Sequence, residues 1–328
     1  MFKFILNSLI LVLFLLKSSS ATSADFEKIK FESRNCINIK YYNDKCDSIL
    51  ISAKIYKAKS NSSVLVIIIH GSQGIDDRHY EYARYINSLG FDALLLDSWG
   101  SRGISKAHFN YSENEKKGAR SFNQALDALS SVSFLSKTQS PYKKFGIIGE
   151  SSGGGAALWI TKSFLYSEYQ RLFSESAKQI DANVALYAPC FERDTRDRFV
   201  PIKTLFLNAE LDNDTPAKYC EKYVDWMNSR GGNATFQTLS GQYHDFDAPY
   251  KLLKSARAQN PSECSSLTDG NIRIWDRTGE RFPNTAEGLR LYQSKCIRSS
   301  ESSPVYSGYK ESPKTGFKEW GKFLISSI

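Results

Sequence analysis

Hydrophobic and polar positions along this chain fall into two alternating rhythms. Residues 64–69 are an uninterrupted apolar, largely β-branched run, the mark of a strand covered on both faces, and residues 91–96, 145–148, 184–188 and 202–207 read as further, mostly apolar strands. Residues 49–57 alternate apolar and polar as a half-buried strand does, after a polar N-terminal segment, and residues 234–239 read as a further strand. Between the strands the period lengthens. Tyr82, Ile86 and Leu89, closed by Gly90, mark one helix, and Phe122, Leu126, Leu129 and Val132 mark a second. Ala156, Ala157, Trp159, Ile160 and Phe164 mark a third, and residues 216–227 a fourth. Strands alternating with helices predict an α/β fold with a mostly parallel central sheet flanked by helices. In such sheets functional residues lie at the carboxyl ends of the strands.

Three stretches break the rhythm. Residues 4–16 form an apolar run behind Lys3, followed by Lys17 and a small-residue stretch ending at Ala24. This predicts a signal peptide over residues 1–24 and a single domain over 25–328; a retained membrane anchor is the alternative. Residues 251–313, rich in Ser, Asn, Asp and Arg, show only a weak helical period at 286–291. They are expected to form an insertion that either borders the active-site mouth or is a neutral surface excursion. Phe317, Trp320, Phe323 and Leu324 then share one helical face, which predicts a terminal helix docking on the sheet.

Composition changes this picture little. The 328 residues carry 43 Lys and Arg against 35 Asp and Glu, a formal charge of +8 dispersed without a compact basic tract. That describes a solvated surface, and no nucleic-acid partner is expected. The six cysteines matter more, because an even set in an exported chain implies disulfides and a secreted or periplasmic location. Proximity in sequence suggests Cys36 with Cys46, Cys190 with Cys220 and Cys264 with Cys296. No C-x-x-C spacing occurs, so no metal is expected.

The chemistry centres on Gly149-Glu150-Ser151-Ser152-Gly153, a glycine-flanked serine between a predicted strand and a predicted helix. A serine hydroxyl needs a base, normally an imidazole held by a carboxylate. His70, His79 and His108 precede Ser151, so in the order serine, acid, histidine only His244 remains, just after the strand ending at Leu239. The acid should follow the strand at 202–207, where Glu210, Asp212 and Asp214 compete. Asp212 is the first choice, with Asp214 a possible helix cap and Glu210 a supporting partner. Backbone N–H groups of Ser152 and Ser72 are the expected oxyanion donors, with Gln73 the alternative to Ser72, and His70 is expected to brace its loop.

These pieces together resemble the α/β-hydrolase superfamily and, within it, the dienelactone-hydrolase family. The matching segments are His70-Gly71, Asp97-Ser98-Trp99-Gly100-Ser101-Arg102-Gly103, residues 149–154, residues 210–216 and Tyr243-His244-Asp245-Phe246. The resemblance implies hydrolysis of a small-molecule ester or lactone, without a cofactor, through a nucleophile-His-Asp triad. It also places Trp99 and Arg102 near the pocket, where Arg102 either meets an acidic substrate group or is a plain surface arginine. The family proper has cysteine where this chain has Ser151, which points to a serine esterase. The competing readings are a serine peptidase of prolyl-oligopeptidase type and a non-catalytic binding protein on the same fold.

Overall fold

The apolar runs form the interior strands of the expected sheet, and their alternating side chains build two separate cores. A computed structural model describes residues 26–37, 46–105, 111–138, 140–255 and 259–328; the expected signal peptide lies outside them. Its first part comprises β1 (Phe26–Asn35), β2 (Asp47–Tyr56), β3 (Val64–Ile69), α1 (Asp77–Ser88), β4 (Asp92–Asp97), α2 (Tyr111–Lys116), α3 (Ser121–Lys137) and β5 (Lys144–Glu150). There follow α4 (Ser152–Ile160), α5 (Ser163–Phe173), β6 (Ala182–Leu186), β7 (Glu192–Asp194), β8 (Lys203–Ala209), α6 (Ala217–Asn228) and β9 (Asn233–Leu239).

Eight strands form the central sheet in the order β1-β2-β4-β3-β5-β6-β8-β9. The β1–β2 and β2–β4 pairs are antiparallel, and all later neighbours are parallel. Period two decides which core each strand residue enters. Leu65, Ile67 and Ile69 face a core with Leu126, Leu129 and Val132 of α3 and with Tyr223 of α6. Val66 and Ile68 face the opposite core with Tyr82 and Ile86 of α1.

Two expectations are corrected. The polar N-terminal segment is the edge strand β1, paired with β2 over its whole length. The helical pattern beyond Ser151 is two helices, because the turn at Thr161 and Lys162 separates α4 from α5.

The region after β9 is an excursion of short elements: β10 (Leu253–Lys254), β11 (Gln259–Asn260), β12 (Ser266–Asp269), β13 (Ile272–Trp275), β14 (Arg281–Pro283), α7 (Ala286–Cys296), β15 (Arg298–Ser299) and β16 (Tyr306–Ser307). β12 pairs in parallel with β7, which ties the excursion to the connection between β6 and β8. β10 pairs with β16, so the excursion leaves and rejoins the body side by side. The three disulfides are Cys36–Cys46, Cys190–Cys220 and Cys264–Cys296, the last inside the excursion. Finally α8 (Phe317–Ser327) buries Phe317, Trp320 and Leu324 in the α1-side core. Among the described residues no helix is long and apolar enough to cross a membrane.

Candidate active site

The turn from β5 to α4 sets Ser151 at φ 52° and ψ −113°, a conformation that side-chain-bearing residues rarely adopt. Its N–H donates to the Leu186 carbonyl at 3.1 Å, and its own carbonyl accepts the Gly155 N–H at 2.9 Å. The glycines explain how so sharp a turn closes. A Cβ on Gly149 would overlap the Gly153 carbonyl, and one on Gly153 would overlap the Ile69 carbonyl of β3. Gly153→Ala is therefore expected to cost about 3 kcal/mol of stability through overpacking, read as a fall in the urea midpoint.

Ser151 Oγ lies 3.2 Å from His244 Nε2, and His244 Nδ1 lies 2.8 Å from Asp212 Oδ2. Asp212 is fixed in turn. Its Oδ1 accepts the N–H groups of Asp214 and Thr215, each at 2.8 Å, and its Oδ2 accepts the Thr215 hydroxyl at 2.8 Å. Burial opposes ionisation of Asp212, but the His244 ring and the Thr215 donors outweigh it and hold the carboxyl below its ordinary value. Burial also opposes a charged His244. Asp212 and Asp214 outweigh that effect and push the imidazole up to about 10.

The other two acids of the loop have different places. Asp214 Oδ2 stands 3.6 Å from His244 Nε2, on the side of the ring that faces Ser151. It does not cap α6, whose first turn has no side-chain cap. Glu210 ties the two loops together by accepting the Ser240 hydroxyl and the Gly241 N–H, both at 2.7 Å.

A buried charge network that sequence reasoning missed lies beside these residues. Arg78, on the first turn of α1, donates to Asp245 Oδ1 at 2.8 Å and to the Tyr187 hydroxyl at 2.9 Å through Nη1. Its guanidinium also lies within ion-pair distance of Asp76, Glu150 and Asp247. Tyr187 and Tyr82 donate to Asp247, whose carboxyl is raised to about 6 because burial outweighs its partners. His79 sits between Asp76 and Glu150; burial lowers it, yet these carboxylates push it up to about 9. Of the four described non-glycine residues with positive φ, Ser151, Tyr187 and Asp245 belong to this neighbourhood. Strain is thus concentrated around His244.

Ser72 and Gln73 both border a cavity of about 40 Å³ beside Ser151, together with Arg78, Glu150, His244, Asp245, Ser255 and Ser307. Ser152 opens α4, so its N–H has no partner within the helix, while its side chain turns to Gln124 Oε1 at 3.0 Å. His70 is buried, with Nδ1 2.8 Å from the Gly71 carbonyl and Nε2 accepting the Trp99 N–H at 3.3 Å. Burial drives its imidazole down to about 3, so it is neutral and braces the loop.

Two expected pocket residues are not there. Arg102 pairs with Asp127 through both Nη atoms at 2.6 and 3.1 Å, and gives its Nε–H to Asn35. Its remaining donors go to the Ser98 and Arg34 carbonyls, which leaves none for a substrate. Trp99 is buried against His70, with ring centroids 5.3 Å apart, and packs with Ile104 and Ala119. Both residues follow β4 as expected, but they build the underside of the loop rather than the cavity.

Strand order, the strained serine after β5 and the loops after β8 and β9 define the α/β-hydrolase fold. No family model and no curated protein matches the chain. By three-dimensional shape it is similar to Est1E from Butyrivibrio proteoclasticus, at 16% identity over 61% of this chain and 88% of that one, with a TM-score of 0.41. It is similar also to the esterase Pf2001 from Pyrococcus furiosus, at 12% identity over 68% of this chain and 85% of that one, with a TM-score of 0.46. A Klebsiella pneumoniae protein provisionally named a dienelactone hydrolase gives 14% identity over 68% and 90% of the two chains and a TM-score of 0.46.

Proposed function

We propose that this protein is a serine hydrolase of carboxylic esters or lactones, with Ser151 as nucleophile, His244 as base and Asp212 as its orienting acid. The observation that carries the reading is the unbroken series from Ser151 Oγ through His244 to Asp212, at 3.2 and 2.8 Å, built on a strained turn. In this mechanism His244 Nε2 takes the hydroxyl proton as Ser151 Oγ bonds to the acyl carbon. Asp212 holds the Nδ1–H and steadies the imidazolium. The N–H groups of Ser152 and Ser72 receive the oxyanion, which collapses as His244 returns the proton to the leaving oxygen. A water, activated by the same imidazole, then cleaves the acyl-enzyme. The three disulfides support export to an oxidising compartment.

The cavity supports a short, polar acyl group. At about 40 Å³ it has room for roughly three waters, and none of its described lining residues is apolar. A longer chain gains about 0.8 kcal/mol per buried methylene only where an apolar wall receives it. A panel of p-nitrophenyl esters, run beside lactones and peptide anilides, tests the reading. Acetate is expected to be the best ester, with kcat/KM falling roughly tenfold or more by octanoate. Turnover of anilides alone would overturn the esterase reading in favour of a peptidase.

A further inference from the structure

We propose that Asp214 is a second carboxylate partner of His244, one that holds Nε2 while the ring is protonated and yields it to Ser151 when the ring is neutral. The inference rests on the hydrolase reading and concerns how that site is switched on. It begins from an arrangement that a Ser-His-Asp series does not require. The acid of the series needs only Nδ1, and Asp212 already occupies that side at 2.8 Å. Asp214 stands on the opposite nitrogen, its Oδ2 3.6 Å from Nε2, where Ser151 Oγ also lies at 3.2 Å. Both carboxylates are buried and both come from the loop after β8, Asp212 Oδ1 accepting the Asp214 N–H. The loop that supplies the orienting acid therefore also delivers a second charge to the reacting side of the ring.

The protonation state of the ring selects between the two neighbours of Nε2. An imidazolium has an N–H at Nε2, and the adjacent carboxylate is a far stronger acceptor for it than a serine hydroxyl. In that state Nε2 cannot take a proton from Ser151. Loss of the proton to solvent exposes a lone pair, which repels the Asp214 carboxylate and accepts the Ser151 hydroxyl proton. The other charged groups named around the ring among the described residues leave this logic in place. Asp245, next in the chain, adds to the negative field but gives its oxygens to Arg78 and Tyr250. Arg78 pairs with Asp245 at 2.8 Å, and Glu150 with Arg78 and His79. Tyr187 meets His244 edge-on at 4.8 Å between centroids and donates its hydroxyl to Asp247.

The sign of the effect follows. A group that favours the protonated ring moves the acidic limb of activity to higher pH, so activity rises with pH through a His244 titration that lies above the ordinary imidazole range. The test measures two midpoints on the mature chain: the pH dependence of Ser151 labelling by a fluorophosphonate, and the imidazole titration of His244 by ¹⁵N NMR, assigned with His244→Ala. In the wild type both midpoints are expected above the ordinary imidazole value of about 6.5. In Asp214→Asn both are expected to fall by about one pH unit or more, and Asp214→Glu to stay near the wild type. A wild-type midpoint at or below the ordinary value overturns the proposal without any variant. So does an unchanged midpoint in a folded Asp214→Asn protein. Absence of labelling at every pH would sink the hydrolase reading instead, while the NMR titration would still decide the pairing.

Discussion

Replacing Ser151 with alanine is expected to remove ester hydrolysis and fluorophosphonate labelling together, with kcat falling about 10⁶-fold. The size follows from the role proposed for the hydroxyl. With the nucleophile gone, only the N–H groups of the oxyanion site and substrate binding remain, and these alone leave a weak catalyst. Asp212→Asn is expected to cost about 10⁴-fold, because an amide facing His244 Nδ1 stabilises the wrong tautomer and leaves Nε2 protonated. The two losses should not add, since both residues serve one proton transfer. Near-wild-type turnover in Ser151→Ala would refute the assignment of the nucleophile, and circular dichroism and the urea midpoint separate that outcome from misfolding.

Arg78→Leu is expected to be the most destabilising change near the site, at about 3–5 kcal/mol. Arg78 is the cation that reaches all four carboxylates, those of Asp76, Glu150, Asp245 and Asp247, and its guanidinium is buried; His79 also serves Asp76 and Glu150, whereas Asp245 and Asp247 take Arg78 as their ion-pair partner. Removing it leaves neighbouring acids without a counter-charge that they share, beside a cavity with room for only about three waters. Their folded-state pKa values must then rise above the unfolded ones. Stability that is present at low pH is lost as pH increases through the raised values, so the deficit against wild type should widen between about pH 5 and 8. Urea unfolding at several pH values measures this. A pH-independent deficit would mean that lost packing, not uncompensated charge, dominates. Arg78→Lys should recover only part of the stability, because one ammonium cannot reproduce the fork that meets Asp245, Tyr187 and Asp76 together.

How much of this was legible in the sequence depends on where the physical cause of each feature lies. The interior strands were, because a strand covered on both faces must be apolar throughout, as residues 64–69 are. The edge strand β1 was not. Its residues Glu27, Lys28, Lys30, Glu32 and Arg34 belong to an edge that solvent reaches, and only Phe31 and Ser33 are buried. The strands of the excursion, two to four residues long, are too short to display a period. At the site, chain order left His244 as the one candidate base and narrowed the acid to Glu210, Asp212 and Asp214; the structure brings the first choice, Asp212, to His244 Nδ1 and Ser151 to Nε2. A resemblance could carry Trp99 and Arg102 onto the right loop but could not reveal Asp127, the α3 residue that takes up the Arg102 charge. Arg78 left no signal at all. Its partners come from the loop before α1, the end of β5 and the histidine loop, and no local pattern joins them.

The ladder between β10 and β16 has a consequence of its own. Leu253 and Lys254 pair with Ser307 and Tyr306, and the Gly308 N–H reaches the His244 carbonyl at 2.9 Å. The roughly fifty residues between these strands therefore begin and end at one doorway, and the doorway itself steadies the histidine. Loop closure changes little in cost when such a stretch is lengthened or trimmed. The stretch beyond the doorway can thus vary in length between its two fixed points, the doorway and the pairing of β12 with β7, as a fitting is changed on a fixed socket. The selectivity of this scaffold could then diverge through the excursion while the proton-transfer geometry beneath it stays as it is.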